Sequence, residues 1–121
     1  MLSIATLLLS FLLPAPPPDA PVEWISPLTV DVGDILRGED HTHTYYYVNL
    51  TDAPLTVDNV RPSCGCTATD WLGTPVMPKD TGSISVTYDA MNVGYFRKNV
   101  KVFFRGYPGA HKLWLEGFVE P

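Results

Sequence analysis

Positive charge is scarce in this sequence. Its 121 residues contain 8 Lys and Arg against 13 Asp and Glu, which gives a formal net charge of −5 at pH 7. Because nucleic-acid binding requires clustered positive charge, this composition argues against nucleic acid as the main ligand. Five of the eight basic residues lie late in the chain, and we interpret them as the solvated face of a strand: Arg97, Lys98, Lys101, Arg105 and Lys112.

Motifs for catalysis are also missing. The sequence has no G-x-S-x-G elbow, no H-E-x-x-H zinc motif and no phosphate-binding loop. Carboxylates such as Asp31 and Glu39 lack the spacing of a calcium loop. A Cys-His pair made from either cysteine and His43 has no third group to orient it. We therefore predict that the protein is not an enzyme.

No segment places apolar residues at the i, i+3, i+4, i+7 spacing of a helix. Short runs of β-branched and aromatic residues instead alternate with turns rich in Gly, Pro and Asp, which is typical of strands. The alternation predicts these inner faces: Leu28, Val30 and Val32; His41, His43, Tyr45 and Tyr47; Ile84, Val86 and Tyr88; Lys98, Val100, Val102 and Phe104; Leu113, Leu115, Gly117 and Val119. About seven strands predict an all-β, immunoglobulin-like sandwich over residues 21–121, which is as much as the length allows.

Residues 1–20, MLSIATLLLSFLLPAPPPDA, differ in composition from the rest of the chain. The apolar run from Ile4 to Leu13 has the length of a signal-peptide core, about 7–15 residues, and is shorter than the ~20 of a membrane span. No Lys or Arg precedes it, and no cysteine nearby indicates a lipid anchor. We predict a signal peptide or apolar leader. The protein would then be exported to the periplasm or cell envelope, touching a membrane only if the leader stays uncleaved.

Four segments carry a resemblance to a known family: DVGDILRGED, HTYYYVNLTDAPLTVDNV, SCGCT and PVMPKDTGSISVTYD. Together they resemble the bacterial family called domain of unknown function 1573, between about residues 29 and 119, and SCGCT (63–67) is the most specific element. The resemblance implies an exported immunoglobulin-like module related to those of ciliary and sperm-protein arrays, and it implies no reaction. Residues 49–51, NLT, also form a glycosylation sequon, which we interpret as coincidence in a bacterial chain.

Both cysteines of the chain, Cys64 and Cys66, lie in NVRPSCGCTATDW, residues 59–71. We predict that segments 41–50 and 55–60 pair as an antiparallel hairpin. That pairing places two histidines beside the strand end that leads to the cysteines, with His43 near Arg61 and His41 near Ser63. The histidines and the cysteines would then share one end of the sandwich.

Three interpretations of Cys64 and Cys66 are open. With His43 and His41 they offer sulfur and imidazole ligands for copper(I) or zinc, although C-x-C forms a more cramped chelate than C-x-x-C. As a redox pair they would form a reducible disulfide, although no neighbouring group is expected to lower a thiol pKa. As a structural clip they would form one disulfide, with Gly65 permitting a tight backbone path. The clip is our leading interpretation, and a thiol-based metal or redox site is the alternative.

Binding is the function that the sequence favours. Trp114, Phe118 and Phe103 are predicted to face outward on the last two strands, flanked by basic side chains. Such apolar patches commonly mark partner surfaces. We therefore predict a non-catalytic binding or structural module of the bacterial cell envelope. Its partner would be an envelope protein, and it would need no cofactor other than the copper or zinc of the alternative.

Overall fold

Eight β-strands form the described part of the protein, residues 20–121 of a computed structural model. In chain order they are β1 (Val22–Trp24), β2 (Thr29–Leu36), β3 (His41–Asn49), β4 (Val57–Pro62), β5 (Thr67–Trp71), β6 (Thr81–Tyr88), β7 (Gly94–Phe104) and β8 (Tyr107–Glu120). The predicted leader lies outside the described residues except for its last one, Ala20. Within residues 20–121, no helix is long and apolar enough to cross a membrane.

The strands form two four-stranded sheets. The first sheet has the order β1-β3-β6-β5 and the second has the order β2-β8-β7-β4. All neighbours are antiparallel except β2 and β8, which are parallel. This is the immunoglobulin arrangement, in which the first strand of seven is here divided between the two sheets as β1 and β2. The predicted all-β sandwich is confirmed, with eight strands rather than seven.

The core lies between the sheets and consists of the alternate residues of each strand, as the two-residue period of a pleated strand requires. The predicted inner faces of β6, β7 and β8 are confirmed, because their apolar members are buried: Ile84, Val86 and Tyr88; Val100, Val102 and Phe104; Leu113, Leu115 and Val119. On β3 the tyrosines at positions 45 and 47 are buried, whereas the histidines at 41 and 43 are only half-buried. Burial on β3 thus increases from the histidine end of the strand towards its other end.

The predicted hairpin between residues 41–50 and 55–60 is wrong. β3 pairs with β1 and β6, whereas β4 lies in the other sheet and pairs with β7. The reason is the connection after β3, where the side-chain amide of the fully buried Asn49 donates to Ala53 O and Val76 O, both at 2.9 Å. These bonds hold the chain in a crossing between the sheets instead of a tight turn within one sheet.

Two strands, β1 and β5, were not predicted from the sequence. β1 has only 3 residues, too few to reveal an alternation. β5 has 5 residues, TATDW, and none of its side chains is fully buried except that of Thr67. Both strands lie at edges of the first sheet, and each has only one buried position. Their sequences therefore carry little of the periodic signal that marks an inner strand.

Candidate functional site

The two cysteines lie in the connection that leads from β4 in the second sheet to β5 in the first. A disulfide joins Cys64 and Cys66, so neither is a free thiol in the described chain. Both side chains are half-buried, and that of Cys66 packs against the hydrophobic core. The C-x-C element therefore closes a small ring within a loop that crosses between the sheets.

Hydrogen bonds fasten this crossing loop to both sheets. Towards β7, Ser63 N donates to Asn99 O at 2.8 Å, and Asn99 N donates to Ser63 Oγ at 3.2 Å. Just beyond the end of β6, Asp89 N donates to Cys66 O at 3.0 Å. A short loop with both ends fixed in this way holds one sheet in position over the other. The contacts are those that a structural clip requires.

Removing the disulfide should destabilise the fold modestly. Replacing Cys64 and Cys66 together by serine is expected to lower the free energy of unfolding by about 1–2 kcal/mol, because a disulfide around so short a loop restricts the unfolded chain only a little. Denaturant unfolding of the oxidised wild type and of the double variant measures the difference.

Reductant provides the matched control for that comparison. It should bring the wild type to the stability of the double variant and leave the double variant unchanged. Equal stability of the two proteins in the absence of reductant would contradict the clip. Copper(I) titration of the reduced proteins separates the alternative. Micromolar binding by wild type that is lost in Cys64→Ser would establish a thiol-based metal site instead.

The predicted histidines reach the same end of the sandwich by a route that differs from the predicted hairpin. In the first sheet His41 lies opposite Tyr88 of β6, and Thr67 lies opposite Tyr88 from the other side. His41 is therefore two strands away from the residue that follows the cysteines, about 10 Å at the usual strand spacing. The buried Tyr88 ring stacks on Phe96, with ring centroids 4.2 Å apart and planes inclined by 18°. Tyr88 thus stands between the histidine and the cysteine loop.

His43 is half-buried and packs against Tyr45. The two rings form a T-shaped pair with their centroids 4.8 Å apart and their planes inclined by 83°. Burial lowers the pKa of His43, and the nearby His41 lowers it further. Within residues 20–121, no group of three or more His, Cys, Asp or Glu side chains is arranged to hold a metal ion. The copper or zinc site built from Cys64, Cys66, His43 and His41 stays a prediction that no contact of the described chain favours.

The three predicted binding aromatics lie on the surface of the second sheet that faces away from the core, which we call the outer face. The Arg97 guanidinium lies 4.2 Å from the centroid of the Trp114 ring. The Arg61 guanidinium lies 5.3 Å from the centroid of the Phe103 ring. Phe118 is 43% exposed, and no cation of residues 20–121 lies over its ring. All three rings are accessible from solvent at least at their edges.

These aromatics do not form one continuous patch, because charged rows separate them. Between Trp114 and Phe118, Glu116 accepts a hydrogen bond from Tyr95 OH at 2.9 Å and lies 3.4 Å from Arg97 Nε. The bond to Glu116 also raises the pKa of Tyr95. Between Trp114 and Phe103, the strands carry basic residues that lie opposite one another across the sheet. Aromatic and charged rows thus alternate along the outer face.

Arg61 also lies on this face, although the sequence does not predict it there. The wrong hairpin pairs β4 with β3 and so places Arg61 near His43. In the structure it lies opposite Lys101 of β7, and Lys101 lies opposite Lys112 of β8. Only the order and register of the strands reveal this alignment, and no local feature of the sequence could have found it.

Most of the chain matches a known protein family. Residues 24–119 match the family described as "Protein of unknown function (DUF1573)". A comparison with curated proteins found no match. The matched range contains all the strands from β2 to β7 and nearly all of β8.

Solved structures with similar folds come from several organisms. A protein of unknown function from Porphyromonas gingivalis W83 is similar with a TM-score of 0.66 and 12% identity, over 80% of this chain and 46% of that one. The VesB protease of Vibrio cholerae has a TM-score of 0.62 and 13% identity, over 84% and 32%. An ASH/PapD-like domain of human CEP192 has a TM-score of 0.61 and 12% identity, over 90% and 91%.

At identities this low, these likenesses show the fold alone. The present chain spans less than half of the length of the P. gingivalis protein and about a third of that of VesB. The match to the human domain covers nearly all of both chains. The sandwich therefore occurs both as a part of larger proteins and as a domain of about this size.

Proposed function

The chain belongs to the family described as a protein of unknown function, DUF1573, and from this premise we propose that it is a non-catalytic module that binds a protein of the bacterial cell envelope. The docking surface is the outer face of the second sheet. The single observation that carries the proposal is the set of accessible aromatic and basic side chains on that face, which the fold itself does not require to be there.

The outer face of the first sheet provides a contrast. Its side chains are largely hydroxyl groups that satisfy one another across strands, with Thr42 Oγ1 and Thr87 Oγ1 2.7 Å apart and Thr44 Oγ1 and Ser85 Oγ 3.0 Å apart. Apart from the exposed ring of Tyr46, such a surface offers a partner few unused groups. Aromatic and Arg side chains, in contrast, are the residue types enriched at the energetic centres of protein interfaces. This difference favours the second sheet as the binding side.

Export is supported by two features of the chain. A disulfide persists in an oxidising compartment and is rare in the reducing cytosol, so the bond between Cys64 and Cys66 fits a periplasmic or secreted protein. The leader predicted at residues 1–20 has the same implication. The clip then serves the module by holding its two sheets together outside the cytoplasm.

The docking proposal predicts the effect of removing two rings. Trp114→Ala combined with Phe118→Ala should reduce recovery of the partner from an envelope fraction about tenfold or more, since buried aromatic anchors contribute several kcal/mol between them when an interface forms. Chemical cross-linking followed by a pull-down with the tagged protein measures the recovery.

Two exposed apolar residues elsewhere supply a control of matched size. Tyr46 is 47% exposed and Leu72 is 75% exposed, and neither lies on the second sheet. Tyr46→Ala combined with Leu72→Ala should leave recovery unchanged. If the Trp114 and Phe118 variant recovered as much partner as wild type while both proteins stayed folded, docking through the outer face would be wrong.

A further inference from the structure

Three basic side chains stand side by side on the outer face. Arg61 of β4 is in register with Lys101 of β7, and Lys101 is in register with Lys112 of β8. We call these three residues the cation row. All three are exposed. Because neighbouring strands lie about 4.8 Å apart, the row extends about 10 Å across the sheet.

The alignment of three like charges is itself unfavourable for the fold. Like charges directly opposite one another on neighbouring strands destabilise a sheet. The ion pairs found within residues 20–121 are those of Arg97 with Glu116 and Arg105 with Asp58, so no carboxylate of the described chain offsets the row. Arg97 and Glu116 show the usual solution on the same face, because they also lie opposite each other and carry opposite charges. The cation row departs from that pattern.

The row borders a shallow open depression of about 410 Å³. Besides the three cations, Pro62, Ser63, Asn99 and Phe103 line it. It therefore combines positive charge, hydrogen-bonding groups and an aromatic ring in one place. The whole chain is acidic, with a formal net charge of −5, so this depression is a local exception to the charge of the molecule.

We propose that the cation row recognises an acidic segment of the protein partner, with two or more Asp or Glu side chains. This inference rests on the proposed function and adds the chemistry of the partner to it. Carboxylates at alternate positions of an extended peptide lie about 6.6–6.8 Å apart on one side. That distance falls between the spacing of adjacent cations in the row and that of its two ends, so three cations can share two carboxylates.

A peptide fits this surface better than a phosphate polymer. Three cations make a short site, whereas a polyanion track needs basic residues that continue along the surface. The aromatic ring of Phe103 on one side of the row and that of Trp114 on the other offer contacts to the apolar side chains of a peptide. In addition, β4 is the edge strand of its sheet, which leaves one side of it free of a neighbouring strand. Each feature suits an extended protein segment.

The test uses a fluorescently labelled hexaglutamate peptide and the intact chain. A variant carrying Arg61→Gln, Lys101→Gln and Lys112→Gln should bind hexaglutamate at least about tenfold more weakly than wild type, because each exposed ion pair changes a binding constant by roughly two- to fivefold. Binding to wild type should weaken as salt rises from low to physiological ionic strength, since the contacts are exposed. Hexaglutamine serves as the uncharged probe and should not bind.

A second triple variant removes the same charge elsewhere. Arg37→Gln, Lys79→Gln and Arg105→Gln lie outside the cation row and change the net charge equally, and they should alter hexaglutamate binding less than twofold. The row variant should also melt close to the temperature of wild type, because the repulsion that it removes offsets the lost contact of Arg61 with the Phe103 ring. A melting temperature far below that of wild type would show that the row is structural and would overturn the inference.

The remaining outcomes decide between ligands. Equal losses in the two triple variants would mean that only net charge matters, and the inference would fail. Tighter binding of inorganic polyphosphate or of anionic lipid vesicles than of hexaglutamate, lost in the row variant, would replace the peptide by a phosphate ligand. The docking proposal can fail separately. Normal recovery of the partner by the Trp114 and Phe118 variant would contradict docking. Hexaglutamate binding to the cation row does not need Phe118, so it would persist in that case.

Discussion

Replacing Asn49 with alanine is expected to lower the free energy of unfolding by about 3 kcal/mol, because the variant loses four hydrogen bonds at a fully buried position. The amide nitrogen of Asn49 donates to Ala53 O and Val76 O, both at 2.9 Å. Its Oδ1 accepts hydrogen bonds from Thr51 N at 2.8 Å and from Thr51 Oγ1 at 2.7 Å. Val76 O keeps the donor Leu55 N, and Ala53 O can accept the single Thr51 hydroxyl proton that the variant no longer takes up, so the greatest loss falls on Thr51 N, which is left without a side-chain acceptor.

An aspartate at the same position sharpens the prediction. Asn49→Asp keeps the acceptor for Thr51 but turns a carboxylate oxygen towards two carbonyl oxygens, so burial and repulsion should raise the pKa of the new carboxyl. A raised pKa stabilises the fold below the pKa of the unfolded chain and loses that effect as pH rises through the folded value. The variant should therefore be least stable at neutral pH and recover part of its stability near pH 4.

Denaturant unfolding at pH 4 and pH 7 measures both effects. Asn92→Ala is the matched control, because Asn92 is exposed in the turn between β6 and β7 and its loss should change stability by less than about 0.5 kcal/mol. A cost for Asn49→Ala as small as that of the control would show that the crossing between the sheets does not depend on this amide.

The contacts of Asn49 also account for the NLT sequence without a glycan. Asn49 Oδ1 accepts hydrogen bonds from the backbone nitrogen and the hydroxyl of Thr51, and the side chain of Asn49 is inaccessible to solvent. The spacing of the two residues is that of an Asx turn. In the structure, NLT is therefore a turn that starts the crossing from the first sheet to the second.

Local alternation predicted what faces the core, and it could not predict which strands are neighbours. The apolar faces of β6, β7 and β8 follow from a two-residue period, which depends only on adjacent positions. The pairing of β3 with β6 depends instead on residues far apart in the chain, and the two-residue loops that make hairpins readable are absent between β3 and β4. The family resemblance supplied the fold correctly, but it did not contain the register.

The candidate site shows the same difference between local sequence patterns and long-range strand pairing. The cysteine pair and the three aromatics are recognisable one by one from the sequence. The cation row is not, because Arg61 becomes significant only when β4 lies beside β7. Conversely, the predicted meeting of histidines with cysteines relied on a wrong hairpin, and Tyr88 lies between His41 and the strand that follows the cysteines. A site whose residues are brought together by long-range strand pairing can be predicted only once the sheet topology is known.

Tyr45 links the first sheet to the strand that carries Trp114, and we expect this link to weaken in alkali. Its side chain is fully buried on β3 of the first sheet, and its hydroxyl donates a hydrogen bond to Trp114 O on β8 of the second. Burial raises the pKa of Tyr45 to about 12. The bond fixes the backbone of β8 beneath the Trp114 ring, which is part of the outer face.

The raised pKa of Tyr45 sets the pH range in which the fold weakens. A group with a raised folded pKa gives its full stabilisation below the unfolded value, near 10 for tyrosine, and loses it as pH rises towards 12. Ionisation of Tyr45 should therefore cost about 2 kcal/mol between pH 8 and pH 11.5. The Tyr45→Phe variant cannot ionise at this position, so it should lose less stability than wild type over that interval. At pH 8 it should be about 1 kcal/mol less stable than wild type, because it lacks the hydrogen bond.

Guanidinium unfolding at pH 8 and pH 11.5 should thus show the two stability curves converging or crossing. Tyr46→Phe is the control, because Tyr46 is 47% exposed on the same strand and its variant should keep the full alkaline loss of wild type. Tyr47 and Tyr88, whose pKa values are also raised by burial, contribute equally to all three proteins and cancel in the comparison. Parallel curves for wild type and Tyr45→Phe would mean that the hydroxyl of Tyr45 reaches water before the fold opens. The hydrogen bond to Trp114 would then not be the link that holds β8 against the first sheet.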